Sequence, residues 1–279
     1  MEEAVPGCRY WGIVFIVLLL LLGCGRAKPR LDNIFDGFDG TIVVYDQQHD
    51  MYTRWNEQRA MERYSPCSTF KIPNALIALE SGVIPNSDYV IAWDSNLYPR
   101  QEWWTDNPWA TRARDHTLKS AIQYSVVWYF QELAKQIGRE RYEEYLAKMN
   151  YGNRDISGEL TEFWLESSLK ISAHEQVEFL RKFYYNRFGF KPENIEQVKE
   201  AIILEENDLY RLSGKTGLGM YDDRTIGWLV GYVERGENVY YYAMNIESSD
   251  YDRVRSSRLN IVKDVLREMG VIPGEQLDE

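Results

Sequence analysis

Two arms of alternating apolar residues, Thr225–Glu234 and Val239–Ile246, face each other across Arg235-Gly236-Glu237. A period of two sends successive side chains to opposite faces, and a glycine in a three-residue connection marks a hairpin. Gly227 and Gly231 in the first arm are places where another backbone can come close. A lone hairpin is marginal in water, so this one needs further strands or a helix against it. The chain offers both. Gly40–Asp46 reads as a strand that Met51–Trp55 can pair with across Gln47–Asp50, and Leu209–Ser213 is another strand candidate. Arg255–Met269 is an amphipathic helix closed by Gly270.

Between these ends the period changes to that of helices. A helix starts near Ser68 and stops at Ser81-Gly82-Val83-Ile84-Pro85; one more is expected over Leu118–Ile137, ending at Gly138. Arg139–Met149 follows, then a helix opened by the capping box of Ser172 and Glu175, then Ile195–Leu204. Trp93–Arg112 is long, aromatic and irregular. Both chain ends therefore build one sheet and the middle folds as a helical lobe. The fold class is α/β (α+β): a central antiparallel sheet of N- and C-terminal strands, flanked by helices, with a helical lobe inserted. The sheet part is expected over 39–66 and 207–275, the lobe over 67–206, and the natural site is the cleft between them.

Ahead of this body, Trp11–Gly23 is an apolar run of thirteen residues, too short for a standard membrane span and the length of a signal-peptide core. It ends Leu21-Leu22-Gly23-Cys24, which is similar to a bacterial lipoprotein cleavage box with Cys24 as the lipidated residue. An uncleaved anchor and an ordinary signal peptide are the alternatives. All three place the body outside the cytoplasm, with a tether over 25–38 and membrane attachment only through the N-terminus. Beyond Cys24 the single cysteine is Cys67, so the mature body has no pair for an intramolecular disulfide. A net charge of −11 and no broad basic stripe argue against a nucleic-acid partner. His49, His116 and His174 are scattered without ligand spacing, so no metal site is expected.

Three short motifs carry the chemistry. Ser68 and Lys71 lie three apart, on one face of a helix, which sets a hydroxyl beside an amine. Taken alone, the serine would be an N-cap and the lysine a solvated side chain. Ser125-Val126-Val127 stands in the lobe, and Lys215-Thr216-Gly217 follows a strand. Ser-x-x-Lys, Ser-x-Val and Lys-Thr-Gly in that order resemble the serine penicillin-recognising enzymes. The flanks narrow the resemblance to class D, oxacillinase-type β-lactamases: Ser65–Pro73, Tyr151-Gly152-Asn153 with Asp155–Gly158, Phe163–Ser172, Gly227–Gly231, and Arg258 with Ile261. It spans about Asp39 to Pro273. One departure is Cys67, where the common form of the family has alanine.

That resemblance implies β-lactam hydrolysis through an acyl-enzyme on Ser68. A hydroxyl nucleophile needs a base, and a free lysine amine titrates near roughly 10.4. The family instead carbamylates this lysine with carbon dioxide, so Lys71 would be an N6-carboxylysine serving acylation and deacylation, with no other cofactor. Phe70, Val127 and Leu165 are the implied apolar walls of that carbamate pocket, and Trp164 its indole N–H donor. Ser125 is implied as a proton relay to the leaving nitrogen. Lys215, Thr216, Gly217, Leu218 and Arg258 are the implied substrate-binding residues, with backbone N–H groups of Ser68 and Leu218 as the oxyanion hole. Small-molecule β-lactams are the expected partners; oligomeric state is left open. Two rivals share the motifs. A sensor domain of the BlaR receptor type acylates but hardly deacylates, and normally follows a multi-helix membrane region. A D,D-peptidase is disfavoured by Val127 and Trp164.

Overall fold

The computed structural model describes residues 1, 31–102, 104, 109–221 and 223–274. The expected signal segment, the tether up to residue 30, Cys24 and Trp103 lie outside the described residues.

In chain order the regular elements begin with β1 (Asp39–Asp46), β2 (Met51–Trp55), α1 (Glu57–Met61) and β3 (Arg63–Tyr64), then α2 (Lys71–Glu80). Next come β4 (Val90–Ile91), β5 (His116–Thr117), α3 (Leu118–Gln123), α4 (Val127–Ile137) and α5 (Arg139–Met149). The second half holds β6 (Ile171–Ser172), α6 (Ala173–Tyr184), α7 (Pro192–Ala201), β7 (Ile203–Glu206), β8 (Arg211–Tyr221), β9 (Arg224–Arg235), β10 (Asn238–Ser248) and α8 (Tyr251–Glu268).

Six strands form one sheet in the order β2-β1-β10-β9-β8-β7, every neighbouring pair antiparallel. The N-terminal strand β1 pairs directly with β10, Asp39 opposite Glu247. The sheet of both chain ends is thus observed, and the β9–β10 hairpin turns where the sequence places it. Alternation in β1 explains the two cores. Ile42 and Val44 face α8, with Val254, Ile261 and Val265. Val43 and Tyr45 face the lobe side, with Leu76, Phe179 and Tyr241. Gly231 serves as expected: a Cβ there would stand 2.0 Å from the carbonyl oxygen of Ser213 on β8.

Three local expectations change. The helix expected over 118–137 is two helices. Ser125 N–H bonds the Ile122 carbonyl at 3.2 Å and Val126 N–H that of Ala121 at 2.9 Å, the crossed bonds of a Schellman ending, with Ser125 at φ +53 where glycine is usual. The helix expected over 195–204 runs Pro192–Ala201; Ile203–Glu206 instead pairs with β8, so the sheet begins one short strand before residue 207. The turn at Ser68 is a 3-10 helix, Cys67–Phe70, that leads into α2.

Candidate active site

Ser68 sits on a turn fixed from three sides. Thr69 Oγ1 donates to the Pro66 carbonyl at 2.7 Å and accepts from Gln176 Nε2 at 3.0 Å. Ser65, three residues before Ser68, is fully buried. Its hydroxyl donates to the Trp164 carbonyl at 2.9 Å and accepts the Glu166 N–H at 2.8 Å. Its carbonyl accepts Trp228 Nε1 of β9 at 3.0 Å. β8 lies against the same turn: a Cβ on Gly217 would be 3.0 Å from the Pro66 oxygen, and one on Gly219 2.6 Å from Cys67 Sγ. Cys67 itself is buried at φ +48, and burial pushes its thiol up to about 11, so it is a packed thiol rather than a nucleophile.

Lys71 lies beside Ser68. Its Nζ lies 2.9 Å from Ser68 Oγ, and the side chain has no exposed surface. Burial, then the positive charges of Lys215 and Arg112, hold the amine well below its ordinary value. Desolvation and like charge both disfavour the ammonium form and so favour the free amine. Phe70 is buried beside it, and the ring of Phe130 lies 5.2 Å from Nζ. Phe130 was not singled out in the sequence, although it stands three residues after Val127 on one face of α4. Val127 and Leu165, expected as walls, are both partly exposed. Leu165 packs against the lobe core.

Trp164 is fully buried and stacks on Phe70, the neighbour of Lys71, with ring centroids 5.6 Å apart. Its Nε1 has no hydrogen-bond partner. A buried donor left unmet costs about 1–3 kcal/mol, so such an atom in a native core calls for an acceptor.

The opposite wall comes from Ser125 and β8. Lys215 Nζ donates to Ser125 Oγ at 3.2 Å and to the Thr216 carbonyl at 3.1 Å. Burial, then Arg258 and Arg112, lower Lys215 to about 7. Arg258, buried and lowered to about 10 by burial, remains a cation at neutral pH; its Nη1 donates to the Gly217 carbonyl at 2.7 Å. Strand parity orients the backbone of β8. Gly214 N–H bonds the carbonyl of Ile202, the residue just ahead of β7, and Met220 N–H bonds Glu166 Oε1, so even-numbered residues aim their amides away from β9. Thr216 and Leu218 share that direction, on the edge facing the Ser68 turn.

A cavity of about 760 Å³ opens from here, lined among others by Arg112, Tyr124, Ser125, Thr216, Arg255 and Arg258. Arg112 is buried, donates from Nε to the Tyr124 carbonyl at 2.9 Å, and is a second functional candidate that the sequence did not single out. The cavity is cationic in a chain of net charge −11, which suits an anionic ligand. Among the described residues no group of three or more His, Cys, Asp or Glu is placed to hold a metal ion.

The structure therefore brings Ser68, Lys71, Ser125, Lys215, Thr216 and Arg258 to one cleft, with Phe70 and Trp164 behind Lys71. Known proteins resemble the chain throughout this body. The family described as "Penicillin binding protein transpeptidase domain" matches residues 36–267. Regulatory protein BlaR1 of Bacillus licheniformis is 39% identical over 86% of this chain, which spans 39% of that relative's length. Beta-lactamase OXA-48 of Klebsiella pneumoniae is 38% identical, the match covering 84% of each. A class D β-lactamase from Sebaldella termitidis has a similar structure, with a TM-score of 0.81 and 34% identity over 88% of this chain and 98% of that one. The C-terminal domain of the Bacillus licheniformis BlaR penicillin-receptor gives a TM-score of 0.79 and 38% identity over 87% of this chain and 96% of that one. With its motif order, its sheet and these relatives in agreement, the chain belongs to the class D serine β-lactamase family, within the penicillin-recognising serine enzymes.

Proposed function

We propose that the protein hydrolyses β-lactam antibiotics through a Ser68 acyl-enzyme, with a carbamate on Lys71 as the base. The observation that carries this reading is the pairing of a buried Lys71, whose amine burial and like charge push toward the uncharged form, with a buried Trp164 Nε1 that lacks an acceptor. Carbon dioxide reacts only with the free amine: the nitrogen lone pair bonds to carbon and an N–H proton leaves to solvent. The resulting carboxylate-like group supplies a base for both acylation and deacylation. An apolar enclosure shields such a group from loss, and Phe70 and Phe130 are in place to provide it.

The remaining roles fall to the chain's own groups. Ser68 Oγ attacks the lactam carbonyl, whose oxygen takes the backbone N–H groups of Ser68 and Leu218. Ser125 Oγ passes a proton to the departing nitrogen, with Lys215 beside it as the neighbour that restores it. The substrate carboxylate meets Thr216 and the Arg258 guanidinium, with Lys215 beside them. The N-terminal segment directs the body out of the cytoplasm, with Cys24 as the point of lipid attachment.

Relatives of both kinds, lactamase and receptor, match at nearly equal identity, so turnover decides between hydrolysis and sensing. Purified protein is mixed with a penicillin and a chromogenic cephalosporin, with and without bicarbonate, and the acyl-enzyme is followed by mass. Sustained turnover, stimulated by bicarbonate, supports the lactamase. A stable one-to-one adduct without turnover rejects it in favour of the sensor.

A further inference from the structure

Trp164 can serve Lys71 only if its loop is held in register with the turn that carries Ser68 and Lys71. Three observations show what holds it. The Ser65 hydroxyl bridges the Trp164 carbonyl and the Glu166 N–H, at 2.9 and 2.8 Å, so one buried side chain grips the loop on both sides of Leu165. The Glu166 side chain then reaches β8, where Oε1 accepts the Met220 N–H at 2.8 Å, two residues beyond Leu218. Glu166 adopts φ +55, a left-handed conformation that costs a non-glycine residue energy and that persists where surrounding contacts impose it.

We propose that Ser65 and Glu166 form a latch that positions Trp164 for the carbamate on Lys71, so that Ser65, which takes no part in the chemistry, sets how firmly carbon dioxide is retained. This rests on the carbamate reading above. Ser65 acts through Trp164: its hydroxyl uses its donor on the loop carbonyl and its acceptor on the loop amide, which fixes the peptide on either side of Leu165 and hence the direction of the indole. Glu166 ties the far end of the same loop to the strand that bears the Leu218 amide, so carbamate pocket and oxyanion edge share one brace. The bland alternative is that Ser65 only satisfies local backbone groups. That alternative predicts lost stability with no change in carbon dioxide retention.

The test uses the full chain with ¹³C-bicarbonate, reading the lysine carbamate signal by NMR, with thermal unfolding measured alongside. In Ser65→Ala the bicarbonate concentration for half-loading rises about tenfold, the equivalent of one hydrogen bond. During turnover acyl-enzyme accumulates, and kcat falls more than kcat/KM. Glu166→Ala, exposed and free of core packing, shifts loading in the same direction by a smaller factor; Glu166→Gln, which keeps an acceptor for Met220 N–H, restores it. Half-loading unchanged in Ser65→Ala, whatever the melting temperature, overturns the latch. Should Ser65→Ala fail to fold, Glu166→Ala decides: unchanged loading there overturns it equally. Absence of a carbamate signal in the unsubstituted protein is a different outcome, which rejects the carbamate reading itself.

Discussion

The indole of Trp164 stacks on the ring of Phe70 at 5.6 Å while its Nε1–H meets no acceptor. Packing and hydrogen bonding are thereby separable at this residue. Trp164→Phe keeps a ring against Phe70 and removes the donor. A hydrogen bond to a charged group is worth about 1.5–3 kcal/mol, so deacylation should slow about 10- to 100-fold. Rapid-quench mass spectrometry checks this by the fraction of acyl-enzyme at steady state. A deacylation rate equal to that of the unsubstituted protein rejects the donor role.

The depressed amine of Lys71 sets the direction of the acid limb. As pH falls, Nζ takes a proton, and the ammonium neither accepts carbon dioxide nor serves as a base. Activity is therefore lost on the acid side. Added bicarbonate raises the carbamylated fraction and moves that limb to lower pH. Profiles of kcat against pH at two bicarbonate concentrations test the shift; superimposable profiles contradict it.

Lys215 yields a stability prediction. Its folded value of about 7 lies below the ordinary 10.5, so between these the unfolded chain binds more protons than the folded one. Stability from this group therefore rises as pH increases from 7 to 10.5, and the burial costs on the order of a few kcal/mol at neutral pH. Lys215→Met removes the charge: the protein melts higher at pH 7, its stability rises less steeply toward pH 10, and it hydrolyses poorly. Denaturant titrations at several pH values read the slope, and an unaltered slope counts against the assignment.

Gly227 lets α8 approach the sheet. A Cβ there would stand 2.5 Å from Val254 Cγ1 and 3.0 Å from Arg258 Cδ. Gly227→Ala should cost about 1–3 kcal/mol through overpacking. Because the clash pushes on the stem of Arg258, KM for a carboxylate-bearing substrate should rise more than kcat falls. Calorimetry and steady-state kinetics on one preparation separate the two effects.

What the sequence made legible is what local pattern determines. The β9–β10 hairpin follows from alternation around Gly236, and the Ser172–Glu175 capping box from four residues of sequence. The break at Ser125 did not show, because apolar residues keep a helical period through 118–137 and a serine stands at the left-handed position where glycine would have marked a helix end. Ile203–Glu206 contains good helix formers, yet pairing with β8 outweighs that preference. The motif residues Ser68, Lys71, Ser125 and Lys215 were readable because their order along the chain carries information. Phe130, Arg112 and the Ser65–Glu166 bridge were not, since each acquires its role from a partner distant in sequence.

The pairing of β1 with β10 joins residues about two hundred positions apart. Closing so long a loop sacrifices chain entropy before the contact returns anything, which makes such pairings slow. The helices of the middle segment have nearby partners and can gather first. β1 gains its inner neighbour only when the last strand is present. A chain cut before Asn238 would keep the residues of the nucleophile turn and of β8 but lack β10, the strand that joins β1 to β9.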